Sequence, residues 1–210
     1  RKQKINKIKL IFFICLIVAV VIGIYNGIKS DKKTAETVNY NSADKIDKCI
    51  VIDAGHGGEE EPGCIFNNIY EKTICLQIAE KLQEKLEKEY SKVIMTRTED
   101  VNVYLNERAR IANREDADIF ISIHQNALEN DVKESEGLIV TKNTLMPSCL
   151  VETGFLSSTE ERKKLTSSEY QDKIVEGIYN GIKSYFNSVE NSENNDVNGN
   201  DNNNINANNV

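Results

Sequence analysis

Apolar and polar positions fall into distinct blocks along this chain. Residues 10–25 are apolar or aromatic at every position but Gly23, and Ile28 extends the run. As a helix rising about 1.5 Å per residue, residues 10–28 nearly match a bilayer core of roughly 30 Å. Arg1, Lys2, Lys4, Lys7 and Lys9 precede the run without an acidic residue among them. The positive-inside rule then places 1–9 in the cytoplasm and the remainder outside. No A-x-A pattern follows, so the expectation is an uncleaved, single-pass signal anchor at the cell membrane rather than a cleaved signal peptide. Residues 29–47 are polar and without periodicity, which reads as a spacer. Residues 187–210 are about half asparagine and lack aromatics, which reads as a disordered tail.

Between spacer and tail the period alternates between strand and helix. Strands are predicted over 49–53, 91–97, 118–124, 137–141 and 149–152. Helices are predicted over 71–90, with Ile74, Ile78, Leu82 and Leu86 in step, over 105–114, and over 171–186, with Ile174, Ile178 and Ile182 in step. Nearly continuous apolar strands separated by amphipathic helices suit a parallel sheet buried on both faces. The expected fold is therefore a three-layer α/β sandwich over 48–186, one domain with a single core.

The formal net charge is −7 over 210 residues, and five of the 26 basic residues stand before the apolar run, leaving the rest more acidic still. Such a surface excludes a nucleic-acid partner. The cysteines form no C-x-x-C pair, so a cysteine zinc site is not expected, while a disulfide stays open.

The chemistry gathers where strands end. The chain's two histidines stand in Asp53-Ala54-Gly55-His56-Gly57-Gly58 and in Ser122-Ile123-His124-Gln125-Asn126, each directly after a strand-like run. In a parallel sheet those positions converge on one cleft at the carboxyl ends of the strands. Two imidazoles and a carboxylate are a common ligand set for catalytic zinc, and a further carboxylate can serve as base. Glu152, in Cys149-Leu150-Val151-Glu152-Thr153-Gly154-Phe155, is the candidate base, since a carboxylate among apolar neighbours is costly unless paired or used.

These segments, together with Tyr70-Glu71-Lys72, Arg97 and Leu105-Asn106-Glu107-Arg108, resemble in order and context the zinc-dependent N-acetylmuramoyl-L-alanine amidases, the catalytic domain called amidase type 3. The resemblance implies one Zn²⁺ on His56, Glu71 and His124, with Glu152 as the catalytic glutamate. It implies hydrolysis of the amide between N-acetylmuramic acid and L-alanine in peptidoglycan. With one anchor and no wall-binding repeats, the chain is also similar to membrane-anchored spore-cortex amidases. Asp53, Arg108 and Asn126 fall in matching stretches and are read as support for ligands or as substrate contacts, the alternatives being a salt-bridged arginine and a turn-forming asparagine. A protein partner that activates the domain stays unspecified.

Two departures from the family pattern stand out. The loop over 57–63 is one residue longer and more acidic than usual. Between His124 and Glu152 a helix-containing segment is missing, with the shortening placed between 137 and 146, an expectation that leaves one sheet face less covered. A binding module without activity, and a zinc peptidase cutting within the stem peptide, are the competing readings.

Overall fold

A computed structural model of the chain describes residues 45–126 and 137–201. The expected segments 1–9 and 10–28, and nearly all of 29–47, lie outside them. Among the described residues no helix is long and apolar enough to cross a membrane.

The elements in chain order are β1 (Ile46–Ala54), β2 (Ile65–Phe66), β3 (Ile69–Tyr70), α1 (Glu71–Leu86), β4 (Tyr90–Met95), α2 (Leu105–Arg114), β5 (Ile119–Asn126), α3 (Gly137–Lys142), β6 (Ser148–Phe155), α4 (Thr159–Leu165) and α5 (Ser168–Asp201). Four strands form one sheet in the order β4-β1-β5-β6, every pairing parallel. A parallel pair needs a crossover connection, and α1, α2 and α3 lie in the crossovers, which layers helices over both faces.

The period-2 alternation of β1 divides the core in two. Ile50, Ile52 and Ala54 face α1 and α5, where Ile74, Ile78, Leu82, Val175, Ile182 and Phe186 complete the larger cluster. Cys49 and Val51 face the other way, onto Ala112, Ala117, Phe120 and Val140. Both faces are apolar, which is why the strands read as continuous runs. Among the residues of α5 whose burial is described, Phe186 is the last buried one, while the helix itself continues to Asp201, into the asparagine-rich stretch.

One predicted element changes type. Residues 137–141, expected as a strand, form α3, a helix over Gly137–Lys142. A short run of β-branched residues does not distinguish a strand from a buried helical turn, and tertiary context decides. Here β6 occupies the place beside β5, and α3 instead buries Val140 in the smaller cluster. The face expected to be stripped of cover thus carries α2 and α3. Two further elements form where the sequence shows no clear period. In the β2–β3 hairpin, Asn67 and Asn68 both take positive φ (51° and 59°), as the commonest two-residue hairpin turn requires. Helix α4 is capped by Ser158, whose hydroxyl accepts the Glu161 N–H.

Candidate active site

His56 follows the last residues of β1 in a left-handed conformation, φ 58°, which histidine tolerates better than most side chains but at a cost on the order of 1–3 kcal/mol. Two buried guanidinium groups hold that turn. Arg97 donates to the carbonyls of Ala54 (2.9 Å), Gly55 (2.8 Å) and Lys72 (2.7 Å). Arg108 donates to the carbonyls of Ala54 (2.7 Å), His56 (2.8 Å) and Val103 (2.8 Å) and to the Asp53 carboxylate (2.8 Å). Asp53 also accepts the hydroxyls of Thr96 and Ser122, each at 2.7 Å. Burial alone would raise its pKa, but the Arg108 charge and these hydroxyls outweigh that and hold the carboxyl below its ordinary range.

Glu71 opens α1 and is buried. Its Oε1 lies 3.0 Å from His56 Nε2 and 3.1 Å from His124 Nδ1, and it accepts the Gln125 N–H at 3.1 Å. Oε2 accepts the Cys64 N–H at 2.9 Å. Burial pushes its pKa up, yet the bonds to His124 and His56 and the charge of His56 overcome this and leave it far below the usual carboxylate range. Gly63 makes room for the group. A Cβ there would stand 2.6 Å from Glu71 Oε2 and 2.7 Å from His56 Cδ2, and its φ of +69° suits glycine. Gly55 does the same for the second imidazole, since a Cβ would stand 2.4 Å from His124 Nε2.

His124 lies inside β5, two residues before its end, and pairs in register with Glu152 on β6. Thr153 ties the two strands, its hydroxyl donating to the His124 carbonyl and accepting from Gln125 Nε2, each at 3.1 Å. Contrary to the expectation of a carboxylate buried among apolar neighbours, Glu152 is exposed, because alternate side chains of the edge strand β6 face the open cleft. Its pKa is nevertheless raised, first by partial desolvation and then by the Glu71 charge, with His124 and His56 pulling the other way.

One donor atom from each of His56, Glu71 and His124 lies within 4.8 Å of the others, so this group could hold a metal ion. The donor chemistry fits: two imidazoles that open toward a cleft, and one carboxylate kept ionised whose remaining oxygen is already hydrogen-bonded. Asp53, His56, Glu71, Arg108, His124 and Glu152 all line a cleft of about 1040 Å³. Of the sequence candidates only Asn126 does not line it; it is exposed at the end of β5, and its carbonyl accepts the Leu156 N–H. Arg97, Gln125, Cys64 and Thr153 hold the ligand candidates in place. Arg97 and Gln125 stand in the matching stretches, but no sequence signal assigned any of the four its role: Arg97 acts on distant carbonyls, Gln125 and Cys64 through their own N–H groups, and Thr153 by tying two strands. Cys49, Cys64, Cys75 and Cys149 are free thiols.

The pattern of the N-acetylmuramoyl-L-alanine amidase family, amidase type 3, matches residues 50–140 and 129–184. The two stretches overlap over 129–140, between His124 and Glu152. A Bacillus subtilis strain 168 protein, "Uncharacterized protein YqiI", is 33% identical over 177 residues, covering 66% of this chain and 85% of that one. The germination-specific N-acetylmuramoyl-L-alanine amidase of the same strain is 28% identical over 190 residues, covering 66% and 80%. Among solved structures, the N-acetylmuramoyl-L-alanine amidase from Clostridium difficile 630 superimposes with a TM-score of 0.62 at 32% identity, covering 68% of this chain and 98% of that chain. The CwlD amidase from Clostridioides difficile, solved with the GerS lipoprotein, gives 0.59 at 30% identity, covering 68% and 100%. The matched stretches span the whole cleft from β1 to α5 and take in all three clustered ligand candidates and Glu152, and the chain belongs to the N-acetylmuramoyl-L-alanine amidase family.

Proposed function

We propose that this chain is a zinc-dependent amidase that hydrolyses the bond between N-acetylmuramic acid and L-alanine in peptidoglycan, with His56, Glu71 and His124 as the zinc ligands and Glu152 as the proton-transferring group. The observation that carries the reading is the convergence of the two imidazoles on one carboxylate oxygen in the cleft that Glu152 also lines. A bound Zn²⁺ supplies Lewis acidity and draws the pKa of a water toward neutrality. The chain's own residues do the rest. Glu152, its pKa raised, takes a proton from the attacking water and returns it to the departing L-alanine nitrogen. Arg97 and Arg108 hold the His56 turn, and the Cys64 and Gln125 N–H groups orient Glu71, so the ligands need not rearrange during turnover.

Relatives named as germination-specific and sporulation-specific amidases support a role in cell-wall or spore-cortex remodelling, outside the cytoplasm. The apolar segment over 10–28 would hold the domain at the outer face of the membrane. A relative solved with a lipoprotein makes a protein partner of that class the first to test.

The test incubates the zinc-loaded full chain with purified peptidoglycan and follows new L-alanine amino termini beside a Glu152→Gln control. Release that vanishes in the control supports the reading. Cleavage within the stem peptide points to a peptidase, and no release from a folded, zinc-loaded protein points to a binding module.

A further inference from the structure

We infer that Tyr104 is the platform on which the glycan part of the substrate rests, a specificity residue at the rim of the cleft. This inference rests on the amidase reading for the identity of the sugar. Four observations carry it.

Tyr104 is the N-cap of α2, where a Ser, Thr, Asp or Asn side chain would bond a free helical N–H, and here no side-chain cap bond is made. The position gives up helix stability for an aromatic ring. That ring is not used for packing either. It is 73% exposed, and neither the ring nor its hydroxyl is paired with another side chain among the described residues. By contrast Tyr70, the other large exposed aromatic among the described residues, has the Lys72 ammonium 5.6 Å from its ring centroid.

Tyr104 also lines the same cleft as His56, His124 and Glu152. Its backbone is fixed to the catalytic turn through one guanidinium, since Arg108 bonds the carbonyl of Val103, the preceding residue, and the carbonyl of His56, both at 2.8 Å. The Tyr104 carbonyl in turn accepts the Glu107 and Arg108 N–H groups at 2.8 and 3.2 Å. An exposed ring on a pinned backbone beside a hydrolytic centre is pre-organised for a ligand with one apolar face and a polar perimeter. A pyranose ring has that form. An extended stem peptide presents alternating side chains instead, so the glycan is the better match.

The test titrates soluble fragments into the full chain carrying Glu152→Gln, which leaves the ligand intact. The fragments are an N-acetylglucosaminyl-N-acetylmuramoyl-peptide and the free stem peptide, each with Tyr104, Tyr104→Ser and Tyr104→Trp. The expected result is that Tyr104→Ser weakens binding of the glycan-bearing fragment by about fivefold to tenfold. Free stem-peptide binding stays the same, Tyr104→Trp restores affinity, and the melting temperature of Tyr104→Ser holds or rises because serine caps α2. With Glu152 present, KM for glycan-bearing substrate rises in Tyr104→Ser while kcat changes less than twofold. Unchanged affinity in Tyr104→Ser, an equal loss on free peptide, or no fragment binding by the Tyr104 protein overturns the inference. If the glycan-selective loss appears but no amide is cleaved, the platform stands and the amidase reading falls.

Discussion

Asp53 and Arg108, both buried, meet at 2.8 Å beneath the cleft, and the same guanidinium reaches the carbonyl of His56. A removed partner leaves an uncompensated buried charge, which costs about 3–5 kcal/mol. Arg108→Met is therefore expected to lower the unfolding free energy by that order, and to weaken zinc binding because the His56 turn loses a tether. Urea denaturation and a zinc titration on the same preparation check both effects.

The same pair sets an acid limit on stability. The Asp53 carboxyl titrates below its ordinary 3.8 in the folded state. Near that pH the unfolded chain binds more protons, so stability rises with pH. The contribution is complete above the ordinary value and is lost as pH falls toward the folded one. Denaturation midpoints taken between about pH 2 and pH 6 should show this slope. Asp53→Asn should be less stable near pH 6, with the deficit shrinking as pH falls, and should lack this component of the slope.

On the proposed mechanism Glu152 serves proton transfer rather than folding. It is exposed on an edge strand, so Glu152→Gln is expected to keep the melting temperature and the zinc stoichiometry of the parent. Hydrolysis should fall by a factor on the order of a hundred or more. Metal analysis beside the rate assay distinguishes this from loss of the site, since a variant with less zinc would make Glu152 a ligand.

Glu71, bonded through both oxygens, should matter for metal and fold together. Chelation should lower the melting temperature of the parent chain, because zinc at a hundredfold over its Kd adds about 2.7 kcal/mol. Glu71→Gln should abolish that zinc-dependent increment. Gly63→Ala should reduce it as well, since the added Cβ falls 2.6 Å from Glu71 Oε2 at a backbone φ of +69°. A full zinc-dependent shift in Gly63→Ala would show that the loop yields and that the contact is unimportant.

Much of this protein could be read from the order of its residues. The period of Ile74, Ile78, Leu82 and Leu86 marked α1, and the apolar runs around Val51 and Ile121 marked central strands, because helix and strand periods are local properties. The two histidines following apolar strand-like runs pointed to a cleft for the same reason, and the linked motifs identified the family. Where local pattern was ambiguous it misled. Residues 137–141 suit a strand or a helical turn equally, and only the pairing of β6 with β5 made them α3.

What the tertiary structure alone decided is how the motifs support one another. Glu71 opens a helix, which any acidic residue favours, and becomes a ligand candidate only because α1 packs so that its carboxylate stands between two imidazoles from β5 and the β1 turn. Arg97 and Arg108 show no periodicity; their function lies in carbonyls far away along the chain. Local sequence determines which elements form, because backbone propensity and hydrophobic period act over a few residues. The direction of a buried charge is decided only when distant elements pack, because it depends on which polar groups remain to be satisfied there.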